Sequence, residues 1–416
     1  MLKYFILSLL FCVALAEQSA THQLLHIYPE NDVHLTFLES LRNKYDVWYA
    51  ASDRYDILLP LPQVQSLQIE LQDAGLTSKI FIEDINKIID DERERLRVKA
   101  PGFDYEDFNN LTMCNQELDK IAAKCIPGFV CTIDSIGDST EKRPIKRLKI
   151  SRRDSKRKIV WLDATTHARE WLTTATLFKI VKHMQDNYNG DSLVKSLLDK
   201  YDWHFIPIVN PDGYDFTWTQ NRMWRKNRRM NMKPRCPGVD LNRNADNAWG
   251  TTGSGEDECS EIYRGPKVAS EPETQALKRQ YNLLGQNVLE VINIHAYGQY
   301  WMTSYGHVNP VTKKCYEAPD EKETVRIANA AADAIQEVFN TTWKRGPTCT
   351  TMYIASGLLI DDAKDRSGIR YTAVPEVRGN GFVVPPSEIT PSFKEIWAGV
   401  TASIKAIEDG PFFSDN

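Results

Sequence analysis

The sequence predicts an α/β architecture: a mostly parallel mixed sheet covered by helices on both faces, preceded by a small α+β open-sandwich unit. Three observations carry this expectation. Beyond residue 103, short apolar runs alternate with helical periodicities, the pattern of strands joined by crossover helices. Residues 17–99 have a different texture, with no cysteine and short alternating runs that read as hairpins with helices. Pro101-Gly102 separates the two regions, and a chain of 416 residues suits a large domain with a smaller companion, at roughly 100–200 residues per domain.

Residues 1–16 read as a secretory signal. Lys3 supplies the positive end, Phe5 to Ala16 an apolar run, and Ala14-Leu15-Ala16 a cleavage pattern before Glu17. The run is too short to cross a bilayer, which takes about 20 apolar residues, and no later stretch is long enough. A secreted, extracellular protein without a membrane span is therefore expected, in a compartment that permits disulfides. Of eight cysteines, Cys12 leaves with the signal, so an odd number remains and one thiol stays unpaired or reduced. Two sequons, Asn110-Leu111-Thr112 and Asn340-Thr341-Thr342, are glycosylation candidates in that compartment.

In the small unit, Leu24 to Tyr28 and Tyr55 to Leu59 read as strands, with helical patterns between and after them, the last from Ile80 to Leu96. Asp90 to Lys99 is a mixed-charge helical stretch. A segment so rich in basic residues after a small secreted unit invites trypsin-like cleavage, because nicking concentrates in exposed connections. An uncut interdomain helix fits the same residues.

In the larger region, Lys158 to Asp163 reads as a buried strand and Trp171 to Tyr188 as an amphipathic helix. His204 to Val209 is another apolar run, ended by the turn signal Asn210-Pro211-Asp212-Gly213. Ser270-Glu271-Pro272-Glu273 has the form of a capping box opening a helix to about Leu284. Val288 to Ile294 is a strand, Asp320 to Phe339 a long helix, Ile369 to Val377 a strand and Pro391 to Ile407 the closing helix. Two basic clusters stand out, Lys142 to Lys158 and Arg222 to Arg235; the first reads as a solvated face or hairpin. Overall, 51 Lys and Arg against 56 Asp and Glu give a net charge of −5, which argues against nucleic acid as a partner.

In open α/β sheets, ligands sit beyond the carboxyl ends of the strands. The residues found there are Thr165-Thr166-His167-Ala168-Arg169-Glu170, His295-Ala296-Tyr297 and Glu376-Val377-Arg378. His167, Glu170 and His295 are two imidazoles and a carboxylate at strand ends. That set suits Zn²⁺ as a cofactor, one per chain, since hydrolytic zinc sites take three protein ligands and keep one position open. No His-Glu-x-x-His, Gly-x-Ser-x-Gly or P-loop is present, which removes the commonest rival hydrolase and nucleotide readings.

Further motifs surround these residues: Asn221-Arg222-x-Trp224-Arg225, Gly238-Val239-Asp240-Leu241-Asn242-Arg243-Asn244 and Tyr353-x-Ala355-Ser356-Gly357. Together with His167-Ala-Arg-Glu170-Trp, Asn210-Pro-Asp-Gly, His295-x-Tyr297 and Glu376-x-Arg378, in this order, the chain resembles a zinc metallocarboxypeptidase of the pancreatic A/B type. The resemblance runs from about Phe103 to the closing helix. Residues 17–99 resemble that family's activation prosegment, leaving 100–416 as the catalytic domain.

The resemblance implies that His167, Glu170 and His295 bind zinc and that Glu376 is the general base. It implies that Arg225 stabilises the oxyanion, while Asn242, Arg243 and Tyr353 grip the substrate's terminal carboxylate. Arg169 would line the path for residues further from that terminus, Tyr297 would be a further substrate-binding residue, and Asp240 would hold a zinc histidine from its second nitrogen. The selectivity position falls on Ile360, whose apolar side chain resembles the A-type, for aliphatic or aromatic termini. The B-type, for Lys or Arg, is the alternative, and a catalytically silent zinc-binding homologue is a second. Leu358 and Leu359 stand where small residues are usual, Asp361 and Asp362 follow directly, and Gly379-Asn380 replaces Asp-Thr after Arg378. The resemblance also implies bridges Cys236–Cys259 and Cys315–Cys349, leaving Cys114, Cys125 and Cys131 for one more bridge and one free thiol. Expected partners are peptide C-termini and a trypsin-like protease that cleaves a zymogen near Arg97 or Lys99; a monomer is expected.

Overall fold

The computed structural model describes residues 21–153 and 157–410. The expected signal, with Cys12, lies outside the described residues. Two units divide the chain at Ala100/Pro101.

The first unit is a four-stranded antiparallel sheet with three helices. Its strands are β1 (His22–Tyr28), β2 (Asp46–Ala50), β3 (Tyr55–Pro60) and β4 (Thr77–Ile82), in the order β2-β3-β1-β4. Helices α1 (Asp32–Leu41), α2 (Leu61–Asp73) and α3 (Ile85–Arg97) complete it. Leu24, Leu25 and Ile27 on β1 are fully buried, as are Leu38, Leu67 and Leu71 on the helices, so one apolar layer lies between sheet and helices. The helix expected from Ile80 begins later. Thr77 to Ile82 pairs with β1 as a strand, and Asp84 then caps α3 by accepting from the Asn86 and Lys87 amides.

The second unit is built on an eight-stranded sheet. Its strands are β5 (Phe129–Asp138), β6 (Pro144–Arg152), β7 (Ile159–Ala164), β8 (Asp202–Ile206), β9 (Val288–Ala296), β10 (Tyr300–Thr303), β11 (Lys344–Pro347) and β12 (Tyr371–Val377). Their order is β11-β10-β12-β9-β7-β8-β6-β5. The central strands β12, β9, β7 and β8 are parallel to one another; β10 against β12, β6 against β8 and β5 against β6 are antiparallel. The helices are α4 (Leu111–Ala123), α5 (Trp171–Asn187), α6 (Ser192–Lys200), α7 (Pro211–Thr219), α8 (Pro272–Leu284), α9 (Glu321–Phe339), α10 (Thr348–Thr351), α11 (Leu359–Ser367) and α12 (Ile389–Asp409).

Alternation along the strands puts helices on both faces. Ile159, Trp161 and Val291 pack with Leu277 and Tyr281 of α8 and with Leu359 and Ala363 of α11. Glu290, next to Val291, reaches Ser403 of α12 on the opposite face. There α5 joins α12 through Thr176 and Ser392, and Arg326 of α9 donates to the Ala406 carbonyl.

Two further local expectations change. Asn210-Pro-Asp-Gly opens α7 instead of ending in a turn: Asn210 accepts from the Gly213 amide at 2.9 Å and Pro211 takes the first helical position. Turn residues and helix-capping residues are the same types, so spacing alone did not separate the two outcomes. The box at Ser270 does not form. Glu273 instead accepts from the Thr140 amide and from Asn227, and α8 starts at Pro272 with no side-chain cap. The first basic cluster bears out the hairpin reading: within it Pro144–Arg152 is strand β6, paired antiparallel with β5, and Arg147 pairs with Asp134 at 2.7 Å.

Candidate active site

β7 and β9 are neighbours, yet β8 follows β7 on one side while β9 lies on the other. The order of the parallel strands reverses there, and a crevice opens at their carboxyl ends. His167 and Glu170 leave β7 toward that crevice, Glu170 immediately before α5, and His295 is the penultimate residue of β9. Glu376 on β12 lies in register with His295. Residues far apart in the chain thus arrive at one point because parallel pairing aligns the strand ends.

The ligand atoms of His167, Glu170 and His295 all lie within 4.8 Å of one another, and all three residues are buried. His167 Nδ1 is 2.8 Å from Glu170 Oε1, and His295 Nδ1 is 3.2 Å from Glu170 Oε2 and 3.1 Å from His167 Nδ1. Each ring presents Nδ1 inward because its Nε2 is engaged elsewhere. His167 Nε2 lies 3.1 Å from Asp240 Oδ1, and His295 Nε2 lies 2.6 Å from Asn293 Oδ1. A carbonyl or carboxylate oxygen only accepts, so both Nε2 atoms carry the proton and both Nδ1 lone pairs face the shared point. The Ala296 amide donates to Glu170 Oε2 at 3.1 Å and fixes the carboxylate.

The charges reinforce this arrangement. Burial and the neighbouring Arg225 hold His167 below its ordinary pKa, keeping it neutral. Burial opposes the charge on Glu170, but His167 and His295 outweigh it and hold the carboxyl below its ordinary value. Asp240 is likewise disfavoured by burial, yet Arg225 and His167 hold it well below the carboxylate range. Arg225 Nη2 donates to Asp240 Oδ2 at 2.9 Å, and the Arg225 carbonyl accepts from the Ala168 amide, so the second basic cluster is pinned to the His167 loop. At His295 the balance runs the other way: burial disfavours its charge, but Glu170 outweighs burial and raises its pKa. Two imidazole nitrogens and one carboxylate in a buried pocket form a donor set that fits Zn²⁺.

A family model described as zinc carboxypeptidase matches residues 114–399, and one described as carboxypeptidase activation peptide matches residues 25–92. The chain belongs to the zinc carboxypeptidase family. It is a metallocarboxypeptidase made with an activation peptide, that is, a zymogen. Carboxypeptidase A2 of Rattus norvegicus is 34% identical over 405 residues, covering 94% of each chain. Carboxypeptidase A1 of Bos taurus is 32% identical over 412 residues, covering 95% of this chain and 96% of its own. Among solved structures, carboxypeptidase A from Helicoverpa armigera superimposes with a TM-score of 0.84 at 25% identity, covering 94% of this chain and 98% of its own. Thrombin activatable fibrinolysis inhibitor superimposes with a TM-score of 0.82, also at 25% identity, over 94% of this chain and 100% of its own.

Of the remaining expected residues of this carboxypeptidase, Glu376, Arg225 and Asp240 interact with the triad. Glu376 is 9% exposed, and its Oε2 has no hydrogen-bond partner among the described residues. Burial pushes its carboxyl up to about 8, while His295, Arg225 and Arg243 pull the other way. Arg225 Nε and Arg243 Nη2 are also buried without partners among the described residues. Buried atoms left without partners on groups of opposite charge indicate a site that awaits a ligand. Asp240 caps the short turn Leu241–Arg243, and Asn242 Oδ1 accepts from the Leu359 amide at 3.1 Å, which ties that turn to the start of α11. Arg243 donates to the Gly253 and Asn242 carbonyls and lies 5.8 Å from the centre of the half-buried Tyr353 ring. Ile360 is buried in the first turn of α11. Arg169 lies 4.2 Å from the centre of the Phe382 ring, and Tyr297 packs edge-on against the same ring.

The roles of two residues were not foreseen from the sequence. Arg222 holds the Arg169 and Phe382 carbonyls together, at 2.9 and 2.8 Å. Asn293 orients His295; its signal was a polar residue inside an apolar strand, two positions from a histidine and so on the same face. The bridges Cys236–Cys259 and Cys315–Cys349 are present and Cys125 pairs with Cys131; among the described residues Cys114 is buried outside any disulfide, its Sγ 3.4 Å from the Asn109 carbonyl.

Proposed function

We propose that this zinc carboxypeptidase is a secreted exopeptidase that removes aliphatic or aromatic residues from peptide C-termini after a trypsin-like protease cuts near Arg97 or Lys99. In this reading residues 1–16 are the signal, 17–99 the prosegment and 100–416 the catalytic domain. The observation that carries the proposal is the convergence of His167, Glu170 and His295 within 4.8 Å, beside the orphaned groups of Glu376, Arg225 and Arg243.

His167, Glu170 and His295 would hold the zinc, which when bound supplies Lewis-acid polarisation of a carbonyl and acidifies water. Glu376 accepts the proton of the attacking water and passes it to the leaving amine. A metal held by that triad would favour the ionised form of Glu376 against the upward push of burial. Arg225 holds the negative charge that grows on the carbonyl oxygen. Arg243, with Asn242 and Tyr353, takes the terminal carboxylate; a guanidinium grips two carboxylate oxygens at once, and an internal peptide bond offers none. Arg169 and Tyr297, around Phe382, receive residues nearer the amino end.

Ile360 supports the apolar preference. The acids beside it are each engaged through one oxygen: Asp361 Oδ2 accepts from the Gly306 amide and contacts His307, and Asp362 Oδ1 pairs with Lys278 at 2.8 Å, while Asp361 Oδ1 and Asp362 Oδ2 are buried without hydrogen-bond partners among the described residues. A basic terminus buried there without a counter-ion would cost several kcal/mol, so release from peptides ending in Lys reads whether Asp361 Oδ1 or Asp362 Oδ2 supplies one. The test is release of the last residue from peptides ending in Phe, Leu, Lys or Glu by the trypsin-activated protein, with and without a chelator. Absence of any chelator-sensitive release removes the enzymatic reading of the site, and preferential Lys release removes the apolar one.

A further inference from the structure

We propose that Asn340 is an N-glycosylation site of the exported protein, a step that rests on the secretion reading above. Asn340-Thr341-Thr342 is one of two sequons, and the structure treats the two differently. Helix α9 ends at Phe339, and Asn340 is its left-handed cap, with φ 54° and its backbone N–H donating to the Gln336 carbonyl at 2.8 Å. Asparagine is among the few residues other than glycine that accept this conformation, so the backbone explains its presence there. The side chain serves nothing comparable: it is exposed, and no hydrogen bond of its amide is found among the described residues. Thr342, which completes the sequon, is exposed as well. Thr341 between them anchors the turn through its hydroxyl, 2.8 Å from Glu395 Oε1.

Asn110 contrasts on each point. It is half-buried, follows the buried Phe108 and Asn109, and its Oδ1 caps α4 by accepting from the Met113 amide at 3.0 Å. Thr112 lies within the first turn of that helix. A sugar on Asn340 would also stand close to β11, the edge strand that starts at Lys344. Exposed strand edges are where unwanted pairing between molecules begins, and a bulky polar group shields them.

The co-reactant is a lipid diphosphate-linked oligosaccharide of the secretory pathway. The bond between its first sugar carbon and the phosphate oxygen breaks as that carbon bonds to Asn340 Nδ2; Nδ2 loses one proton and the lipid diphosphate leaves.

The test expresses the full chain in a eukaryotic secretory host, treats the secreted protein with a peptide N-glycosidase in heavy-oxygen water, and maps the peptides by mass spectrometry. The Asn340 peptide is expected as the heavy-labelled aspartate product. The label is lost in Thr342→Ala and in Asn340→Gln, and kept in Thr342→Ser. Thr342→Ala leaves the left-handed asparagine in place, so its loss of label does not depend on disturbing the cap. A chain secreted with an unmodified Asn340, including one glycosylated at Asn110 alone, overturns the proposal and leaves the export reading standing. A chain retained in the cytosol overturns both.

Discussion

Asn293 Oδ1 lies 2.6 Å from His295 Nε2, and the same amide donates through Nδ2 to Asp163 and, at 3.2 Å, to Thr166 Oγ1. One side chain thus joins the end of β9 to the end of β7, the two strands that deliver the imidazoles. The amide cannot flip without facing its NH₂ toward the His295 N–H and its oxygen toward the Asp163 carboxylate. His295 is thereby held with Nδ1 free. Substituting Asn293 with Leu is expected to weaken zinc binding about 10–100-fold, the usual effect of removing such a partner, as read by chelator competition.

Glu376→Gln should leave zinc content unchanged and lower kcat/KM by about 10²–10⁴-fold, the share general-base catalysis commonly supplies. Metal analysis beside kinetics separates this from loss of the site. A variant that loses its zinc along with its activity would contradict the base role.

Arg225→Met removes the oxyanion donor and also leaves Asp240 buried without its cation. We expect kcat to fall about 10²–10³-fold. Stability should fall too, by roughly 3–5 kcal/mol, because breaking one side of a buried pair strands the other charge. Urea denaturation measures the second effect independently of the first.

Glu290 predicts a pH dependence away from the zinc site. It is buried beneath α12, and burial pushes its carboxyl from 4.5 up to about 8. Ser403 Oγ lies 2.8 Å from Glu290 Oε2 and 3.0 Å from the Val400 carbonyl, and its single proton serves only one of them. A protonated Glu290 donating to Ser403 satisfies both contacts. Between these two pKa values the unfolded chain loses the proton that the folded chain keeps. Its contribution therefore makes folding stability fall as pH rises through that window, by at most about 1.4 kcal/mol per unit, and level off above it. Glu290→Gln should flatten this slope in urea titrations at a series of pH values; an unchanged slope would count against the buried neutral acid.

Chelation should abolish turnover and lower Tm together. Zinc binds the folded site, so at a free concentration a thousandfold above Kd it adds about 4 kcal/mol to stability. Differential scanning calorimetry with and without chelator, followed by zinc add-back, measures the shift and its reversal.

Most of the α/β alternation was legible because buried strands and amphipathic helices carry distinct periods: Lys158 to Asp163 and Trp171 to Tyr188 were placed within a residue or two. Local punctuation was less informative, since Asn210-Pro-Asp-Gly and Ser270-x-x-Glu273 contain the right residues for more than one outcome. At Glu273, a partner from β5's following turn, Thr140, took the carboxylate that a local cap would have used.

The sequence by itself determined the ligand types, the family motifs and the compositional break near Pro101, because these are properties of residue identity and order. Only tertiary structure decided which nitrogen of each histidine faces the shared point, which cysteine stays outside the disulfides and which partners the acids near Ile360 take. Those outcomes depend on Asp240, Asn293, Cys131, Gly306 and Lys278, partners that strand order and packing bring together and that proximity in the chain does not reveal.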